Sequence, residues 1–325
     1  MPEITSRYID LFTDFGFKRV FGDPDDTQAL KSLLNDILQL DDDSKIKTIT
    51  FKNGEMLPEN PEDRKAIYDL FCEDEKGNFF IVELQKITQE HFQSRALYYT
   101  TFPIQQQAQR GKWDFELTPV YFIGLLNFEV KEFQDNTNFL HHGKITDIYS
   151  NKIMYNQLNM IYVEIPKMKK LKEELSTHLE WWLWTFLNIA TTKQLPKEIQ
   201  EDKILKHSFN KAEFLKLSKR DKEQYHKNLK VYRDLVNAEE YAIKRGVKKG
   251  IKQGREEGLR KGLKQGLEQG LEQGLEQGLE QGKKDRNIEI VQLALAQGLD
   301  IKTIKIISGL TESEINEIKI ETLNS

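Results

Sequence analysis

Aromatic residues and prolines stop well before the end of this chain, and this asymmetry limits where a folded core can form. Tyr241 is the last of 33 aromatic residues and Pro196 is the last proline, in a chain of 325 residues. Aromatic side chains supply much of the buried area of a core, and proline interrupts helices. We therefore expect one main core upstream of about residue 240, followed by a long helical appendage.

Glycine recurs every four residues within that appendage. The repeat runs from Gly246 to Gly282 and contains ten glycines, six of which are followed by leucine. Four residues rotate an α-helix by about 400°, so the apolar stripe drifts by about 40° per repeat. A period above 3.6 favours right-handed winding where helices pair along the stripe. Each glycine also costs a helix about 1 kcal/mol relative to alanine, so a flexible spacer and a self-associating helix are both open.

The composition divides the chain into four predicted segments. These are a domain that contains the predicted strands (1–170), a helical extension (171–241), the glycine repeat (242–286) and a small helical tail (287–325). In the tail, Asp300 is expected to cap a helix, and Thr311 with Glu314 forms a capping box for the last one. That last helix is rich in glutamate, which disfavours a DNA-reading role for the tail.

The formal net charge of −4 averages regions of opposite sign. Residues 1–90 hold 11 basic and 20 acidic residues, whereas residues 203–264 hold 19 basic and 8 acidic residues. A strongly basic stretch can dock a polyanion, although a solvated helical face has the same composition. The overall charge therefore excludes only a uniformly basic binder.

Cysteine content and hydropathy exclude several classes of protein. A single cysteine, Cys72, rules out a disulfide framework and a cysteine-rich zinc site. The longest largely apolar runs, Val120–Leu126 and Trp181–Leu187, have seven residues and are too short to cross a bilayer. The first residues lack the basic start and apolar run of a secretory signal. We expect a cytoplasmic location and no membrane partner.

The N-terminal half predicts an α/β fold. The predicted elements are helices over 11–21 and 27–40, strands over 46–53, 66–74 and 79–85, a helix over 89–110, and strands over 120–128 and 159–165. Asp25 or Asp26 is expected to cap the second helix. This order predicts a mixed sheet with helices on its faces, followed by an all-helical C-terminal extension.

The central predicted hairpin carries two carboxylates, Asp69 and Glu83, on apolar strands. If its loop has five residues, Asp69 faces Glu83 directly, and alternation places Gln85 on the same face as Glu83. A four-residue loop would instead put the carboxylates on opposite faces. Facing carboxylates repel each other and lose hydration unless a cation binds, and oxygen ligands of this kind suit Mg²⁺ or Mn²⁺.

Other interpretations of these and neighbouring residues are open. The carboxylates could be solvated at a sheet edge, or paired with Lys65, Lys86 or Arg95. The adjacent His141 and His142 point apart and have no carboxylate at a useful spacing, so we do not expect a metal site there.

At the hairpin the sequence resembles the PD-(D/E)XK nuclease superfamily, and more closely its Rpn branch of recombination-promoting nucleases and transposases. Asp69 with Glu83-Leu84-Gln85 is similar to the D…ExQ form of the signature found in that branch. The opening segment DFGFKRVFG (14–22) and the segment RALYY (95–99) are further similar elements. The resemblance covers residues 10–165 and, in style, the glycine-periodic tail.

The resemblance implies a restriction-endonuclease-like αβββαβ core and Mg²⁺-dependent hydrolysis of DNA phosphodiester bonds, linked to recombination or transposition in bacteria. Asp69 and Glu83 would hold the metal ion and act with Gln85 as the catalytic set. Gln85 stands where the superfamily usually has lysine, and an amide can hydrogen-bond but cannot supply charge.

Three further residues are expected to support this site. Lys18 or Arg95 could supply the positive charge that Gln85 lacks, and Asp14 could add an acid from the first helix or merely cap that helix. The alternative function is a catalytically weak or inactive nuclease-fold protein that binds DNA or forms a homo-oligomer through its C-terminal helices.

Overall fold

The computed structural model describes residues 6–56, 66–108 and 114–324. The chain forms two compact units, Met1–Tyr241 and Ala242–Ser325. The helices in the described ranges are α1 (Asp14–Phe21), α2 (Gln28–Leu38), α3 (Phe92–Gln106), α4 (His178–Asn188), α5 (Lys197–Glu201), α6 (Lys203–Lys211), α7 (Lys219–Ala296), α8 (Ile301–Ser308) and α9 (Glu312–Asn324). The strands are β1 (Ile49–Phe51), β2 (Glu55–Met56), β3 (Ala66–Ile67), β4 (Leu70–Asp74), β5 (Phe79–Gln85), β6 (Val120–Leu126), β7 (Leu140–Thr146) and β8 (Ile153–Glu164).

Six of the strands form a mixed sheet in the order β1-β4-β5-β6-β8-β7. The strands β1, β4 and β5 pair antiparallel, whereas β5, β6 and β8 run parallel to one another. The helix α3 makes the crossover from β5 to β6, since parallel neighbours cannot be joined by a tight turn. The order α1, β1, β4, β5, α3, β6 is the predicted αβββαβ core, so the predicted fold class is confirmed.

Hydrophobic side chains cover both faces of this sheet. One face packs on α1, α2, α4, α6 and the start of α7, through fully buried residues such as Phe17, Trp182 and Phe209. The other face packs on α3 through Phe92 and Ala96. Burial on both faces explains the continuous apolar sequence of β6.

Three sequence predictions about local structure are wrong. The predicted strand over 66–74 is interrupted at positions 68 and 69, which separates β3 from β4. Thr27, rather than Asp25 or Asp26, is the N-cap residue of α2, because the Asp26 carboxylate instead accepts from His207 Nε2 at 2.5 Å. The edge strand β7 was not predicted, since its residues are mostly solvated and lack apolar alternation.

The unit Ala242–Ser325 is helical in its described part. The glycine repeat lies within α7, and the predicted caps of the tail are confirmed. Asp300 Oδ1 accepts from the Thr303 N–H at 3.0 Å, and Glu314 Oε2 accepts from the Thr311 N–H at 2.7 Å. None of the described helices is long and apolar enough to cross a membrane.

Candidate active site

The register of the β4–β5 hairpin brings Asp69 opposite Glu83. Leu70 pairs with Val82 and Glu73 pairs with Phe79, so the five residues 74–78 separate the paired strands. The predicted five-residue spacing is therefore confirmed. One further step along the same register, just before β4 begins, places Asp69 across from Glu83.

The carboxylates of Asp69 and Glu83 take the place of backbone carbonyl groups as hydrogen-bond acceptors at the break between β3 and β4. Asp69 Oδ2 accepts a hydrogen bond from the Leu84 N–H at 2.8 Å, and Glu83 Oε1 accepts one from the Asp69 N–H at 3.1 Å. Buried backbone donors require partners, and here the acidic side chains provide them. Both side chains are consequently held in place before any ligand binds.

Glu83 is almost completely buried, with 5% of its surface exposed. Burial raises the pKa of Glu83 to about 8, and the negative charge of Asp69 acts in the same direction. Gln85 is also buried and lies on the same face, where its Nε2 lies 3.4 Å from Glu83 Oε2. The amide can position the Glu83 carboxylate, but it cannot neutralise it.

Asp69 is surrounded by charges from α1 and from the end of β5. Burial raises the pKa of Asp69, the hydrogen bond from Leu84 opposes that rise, and the nearby Asp14 charge adds to it. The positive charges of Lys18 and Lys86 lower the pKa of Asp69. The structure thus places Lys86, which follows Gln85 in the sequence, within electrostatic reach of Asp69.

Asp14 and Lys18 lie together on α1. Their side chains form an ion pair, with Lys18 Nζ 3.5 Å from Asp14 Oδ1, and both are nearly half exposed. Thr13, not Asp14, caps the helix by accepting from the Gly16 N–H at 3.0 Å. The capping alternative for Asp14 is therefore wrong, and its negative charge is close enough to raise the pKa of Asp69.

Arg95 reaches the site from α3, on the face of the sheet that carries Glu83. Its positive charge lowers the pKa of Glu83, against the effects of burial and Asp69. The guanidinium lies over the rings of Phe92 and Tyr99, at 5.8 and 5.9 Å from their centroids. Tyr99 is held in turn by its backbone carbonyl, which accepts from the Tyr68 hydroxyl at 2.9 Å.

Sequence reasoning missed a further acidic residue near these charges, the partly buried Asp10. Burial raises the pKa of Asp10, the hydrogen bond from the Phe12 N–H opposes that rise, and the charges of Arg233 and Lys86 also lower the pKa. No sequence signal links Asp10 to Arg233, because the two residues are far apart in the chain. Only the packing of the start of α7 brings them together.

The expectation that the two histidines lack a carboxylate partner is wrong for His141. Its Nε2 lies 2.6 Å from Glu164 Oε2, and Lys167 Nζ lies 2.7 Å from the same oxygen. Glu164 comes from the end of β8, which pairs antiparallel with β7. Glu164 Oε1 also accepts from the Val130 N–H, so this single carboxylate with three nitrogen partners forms an internal polar cluster rather than a metal site. Lys65, one of the alternative partners of the hairpin carboxylates, lies outside the described residues.

The donor set at the hairpin fits a hard divalent cation. Within residues 6–56, 66–108 and 114–324, no group of three or more histidine, cysteine or acidic side chains lies close enough to hold a metal ion. Asp69 and Glu83 instead provide two carboxylates, and Mg²⁺ is typically bound by one or two carboxylates while keeping several waters.

Comparison with known proteins agrees with this geometry. No curated protein and no solved structure matches the chain. The sequence profile of the PD-(D/E)XK nuclease family transposases, however, matches residues 11–242, which include the sheet and the helices around it. The resemblance inferred from the hairpin and its flanks is therefore confirmed. The chain belongs to the PD-(D/E)XK nuclease family transposases.

Proposed function

We propose that this protein is a metal-dependent endonuclease that hydrolyses DNA phosphodiester bonds during recombination or transposition. Membership of a nuclease family supports the reaction class and implies a DNA substrate. The observation that carries the proposal is the pair formed by the partly buried Asp69 and the buried Glu83, in which each carboxylate accepts a hydrogen bond from a backbone N–H across the hairpin. Two such carboxylates are costly to keep together without a cation.

Asp69 and Glu83 would hold one Mg²⁺ or Mn²⁺ ion. When bound, the ion would polarise the phosphoryl oxygen, lower the pKa of a bound water and stabilise the leaving alkoxide. Glu83 must lose its proton before it can act as a ligand, and its raised pKa keeps much of it neutral near pH 7.

Arg95 is our proposed replacement for the missing lysine. Gln85 orients the Glu83 carboxylate, whereas the guanidinium of Arg95 supplies positive charge on the same face. A guanidinium remains charged at every relevant pH and can bind a phosphate oxygen. On the other side of the Asp69–Glu83 pair, we propose that Lys18 attracts a DNA phosphate and that Asp14 acts as a supporting acid.

Plasmid nicking tests this proposal. The wild-type chain should convert supercoiled DNA to nicked or linear DNA with Mg²⁺, and EDTA should stop the reaction. Asp69→Ala should be inactive, while Asp42→Ala serves as a matched control because Asp42 is exposed and forms a surface ion pair with Lys45. Equal cutting by wild type and Asp69→Ala would contradict the assignment of Asp69 to the active site.

A second candidate function follows from Gln85. A site without the usual lysine could retain metal and DNA binding but little catalysis, so that the chain would act as a DNA-binding or self-associating module. Mn²⁺ binding without any DNA cleavage would favour this candidate.

We further propose a cytoplasmic location, and we propose that the four segments drawn from the sequence act as separate parts of the chain.

A further inference from the structure

One row of side chains on α7 is both apolar and exposed. Each member is spaced four residues from another, and each exposes between 57% and 72% of its surface. The row consists of Val247, Ile251, Leu259, Leu263, Leu267, Leu271, Leu275 and Leu279, with Arg255 as its single interruption. A regular apolar row of this length on a soluble helix marks an interaction surface.

The row of glycines beside the apolar row forms an open groove. Each apolar residue follows a glycine, and a Cβ added at any glycine from Gly246 to Gly282 would meet no atom within 4 Å. Residues four apart form ridges inclined by about 26° to a helix axis, and two such sets interdigitate at an angle of about 50°. Two helices that wind around each other at this angle keep their leucine rows in contact along the repeat, and the glycines beside the leucines let the two backbones approach closely.

The row on the other side of the leucines is charged, and the sign of its charge changes along the helix. Its first half is basic, with Lys248, Lys252, Arg260 and Lys264, and Glu256 as the exception. Its second half is acidic, with Glu268, Glu272, Glu276 and Glu280. These glutamates repel one another at a spacing of four residues on their own helix. A partner that brings positive charge to this half would relieve the repulsion.

We propose that two copies of this chain pair antiparallel through these three rows, centred near Gly266. In that register Lys252, Arg260 and Lys264 of one copy meet Glu280, Glu272 and Glu268 of the other, and two-fold symmetry makes each contact twice. Glu256 meets Glu276 as the one like-charged pair of these four positions. In a parallel pair the charged row would face the partner's glycine row, so the glutamates would gain no opposite charge. The leucines supply the buried apolar area, and the charges select the orientation.

DNA is the competing occupant of the basic half. Phosphates could bind the lysines, but they would leave the leucine ridge exposed and would not approach the acidic half. The apolar row continues without change across the boundary between the two halves. A second copy covers the leucine row and pairs three basic residues with three glutamates, whereas DNA would contact only the basic half of the charged row.

Spin-label distances test the orientation in the full-length chain. A label on Gln253→Cys should give an inter-copy distance of about 35 Å in the antiparallel pair, and below about 20 Å in a parallel one. In a mixture of Gln253→Cys and Gln277→Cys chains, the distance between the two different labels should be short in the antiparallel pair and long in a parallel pair. The native Cys72 is fully buried, and wild type treated with the same label measures any background labelling at that residue.

Sedimentation equilibrium tests the surface itself. The combined change Leu263→Gln, Leu267→Gln and Leu271→Gln should yield monomers, whereas Gln265→Ala with Gln269→Ala, on the side of the helix opposite the leucines, should remain dimeric. Glutamine and leucine have similar helix propensities, so circular dichroism should show an intact helix in every variant.

Charge reversal gives an independent check. Changing all four glutamates of the acidic half to lysine should abolish self-association, and so should the combined change Lys252→Glu, Arg260→Glu and Lys264→Glu. An equimolar mixture of the two reversed chains should form heterodimers. A wild-type chain that stays monomeric at all concentrations, that pairs in parallel, or that binds DNA through the basic half while monomeric would overturn the proposal.

Discussion

Glu83 accepts a hydrogen bond from the backbone N–H of Asp69 at 3.1 Å, which links the two candidate metal ligands directly across the β4–β5 hairpin. The reciprocal bond from Leu84 to the Asp69 carboxylate, at 2.8 Å, completes a closed arrangement. Each acidic side chain thus has a structural partner as well as a proposed chemical role. The geometry is set by the fold and does not depend on a bound ion.

Metal affinity should rise with pH because Glu83 must release its proton. With a pKa of about 8, the Glu83 carboxyl is mostly neutral at pH 6.5 and mostly charged at pH 8.5. Competition from the proton weakens binding by about tenfold for each pH unit below the pKa. Calorimetric titration with Mn²⁺ at the two pH values should show tighter binding at pH 8.5. A pH-independent affinity would show that Glu83 is not a ligand.

Glu83→Gln should stabilise the metal-free protein. The folded-state pKa of Glu83 lies above its ordinary value of 4.5, so wild-type stability falls as pH rises from 4.5 to about 8. An uncharged amide avoids this loss, and Tm at pH 8 should rise by roughly 5 °C for a core of this size. Thermal denaturation in EDTA measures the change, and added Mg²⁺ should stabilise only the wild type.

Glu180→Gln provides a control of opposite sign. Glu180 is a buried carboxylate that accepts hydrogen bonds from Lys170 and from the backbone at the start of α4, at 2.8 Å from Ser176. These hydrogen bonds outweigh the effect of burial and lower the pKa of Glu180 to about 2. Its stabilisation is therefore present above pH 4.5 and is lost as pH falls toward 2. Glu180→Gln should lower Tm at pH 8, and equal shifts in both variants would contradict the assigned environments.

Arg95 should matter for catalysis more than for stability. Arg95→Gln removes the positive charge near Glu83, so we expect DNA cleavage to slow by about 10²-fold or more while the fold is retained. Because Arg95 lowers the pKa of Glu83, its loss should also move the pH profile of cleavage to higher pH. Arg95→Lys should recover part of the rate. A rate defect that Arg95→Lys does not reduce, without any shift in the pH profile, would indicate that Arg95 acts by packing on Phe92 and Tyr99 and not through its charge.

Local sequence patterns predicted the elements that carry the site better than they predicted its surroundings. Alternation and loop length were sufficient to place Glu83 and Gln85 on one face of β5, and the structure has β5 over the predicted residues 79–85. The break before β4 was not predicted, because Asp69 there replaces a backbone partner with its own carboxylate. Hydrophobic periodicity in a sequence does not reveal that a side chain takes the place of a backbone hydrogen-bond partner.

Long-range packing accounts for the remaining differences. The charges of Lys18 and Arg95 meet the hairpin from opposite sides only because α1 and α3 cover opposite faces of the sheet. Asp10 approaches Arg233 only through the docking of α7. Helical periodicity predicts which face of an element is buried, but it does not specify which partner that face will contact.

The most direct measurement of the central claim is the rate of plasmid cleavage as a function of Mg²⁺ concentration, under single-turnover conditions. Wild type and the surface control Asp42→Asn should show the same saturating dependence. Asp69→Asn should show cleavage reduced by at least about 10³-fold, with no saturation in the accessible range. If Asp69→Asn cleaves DNA at the wild-type rate with an unchanged Mg²⁺ dependence, the metal ion is not held by the Asp69–Glu83 pair.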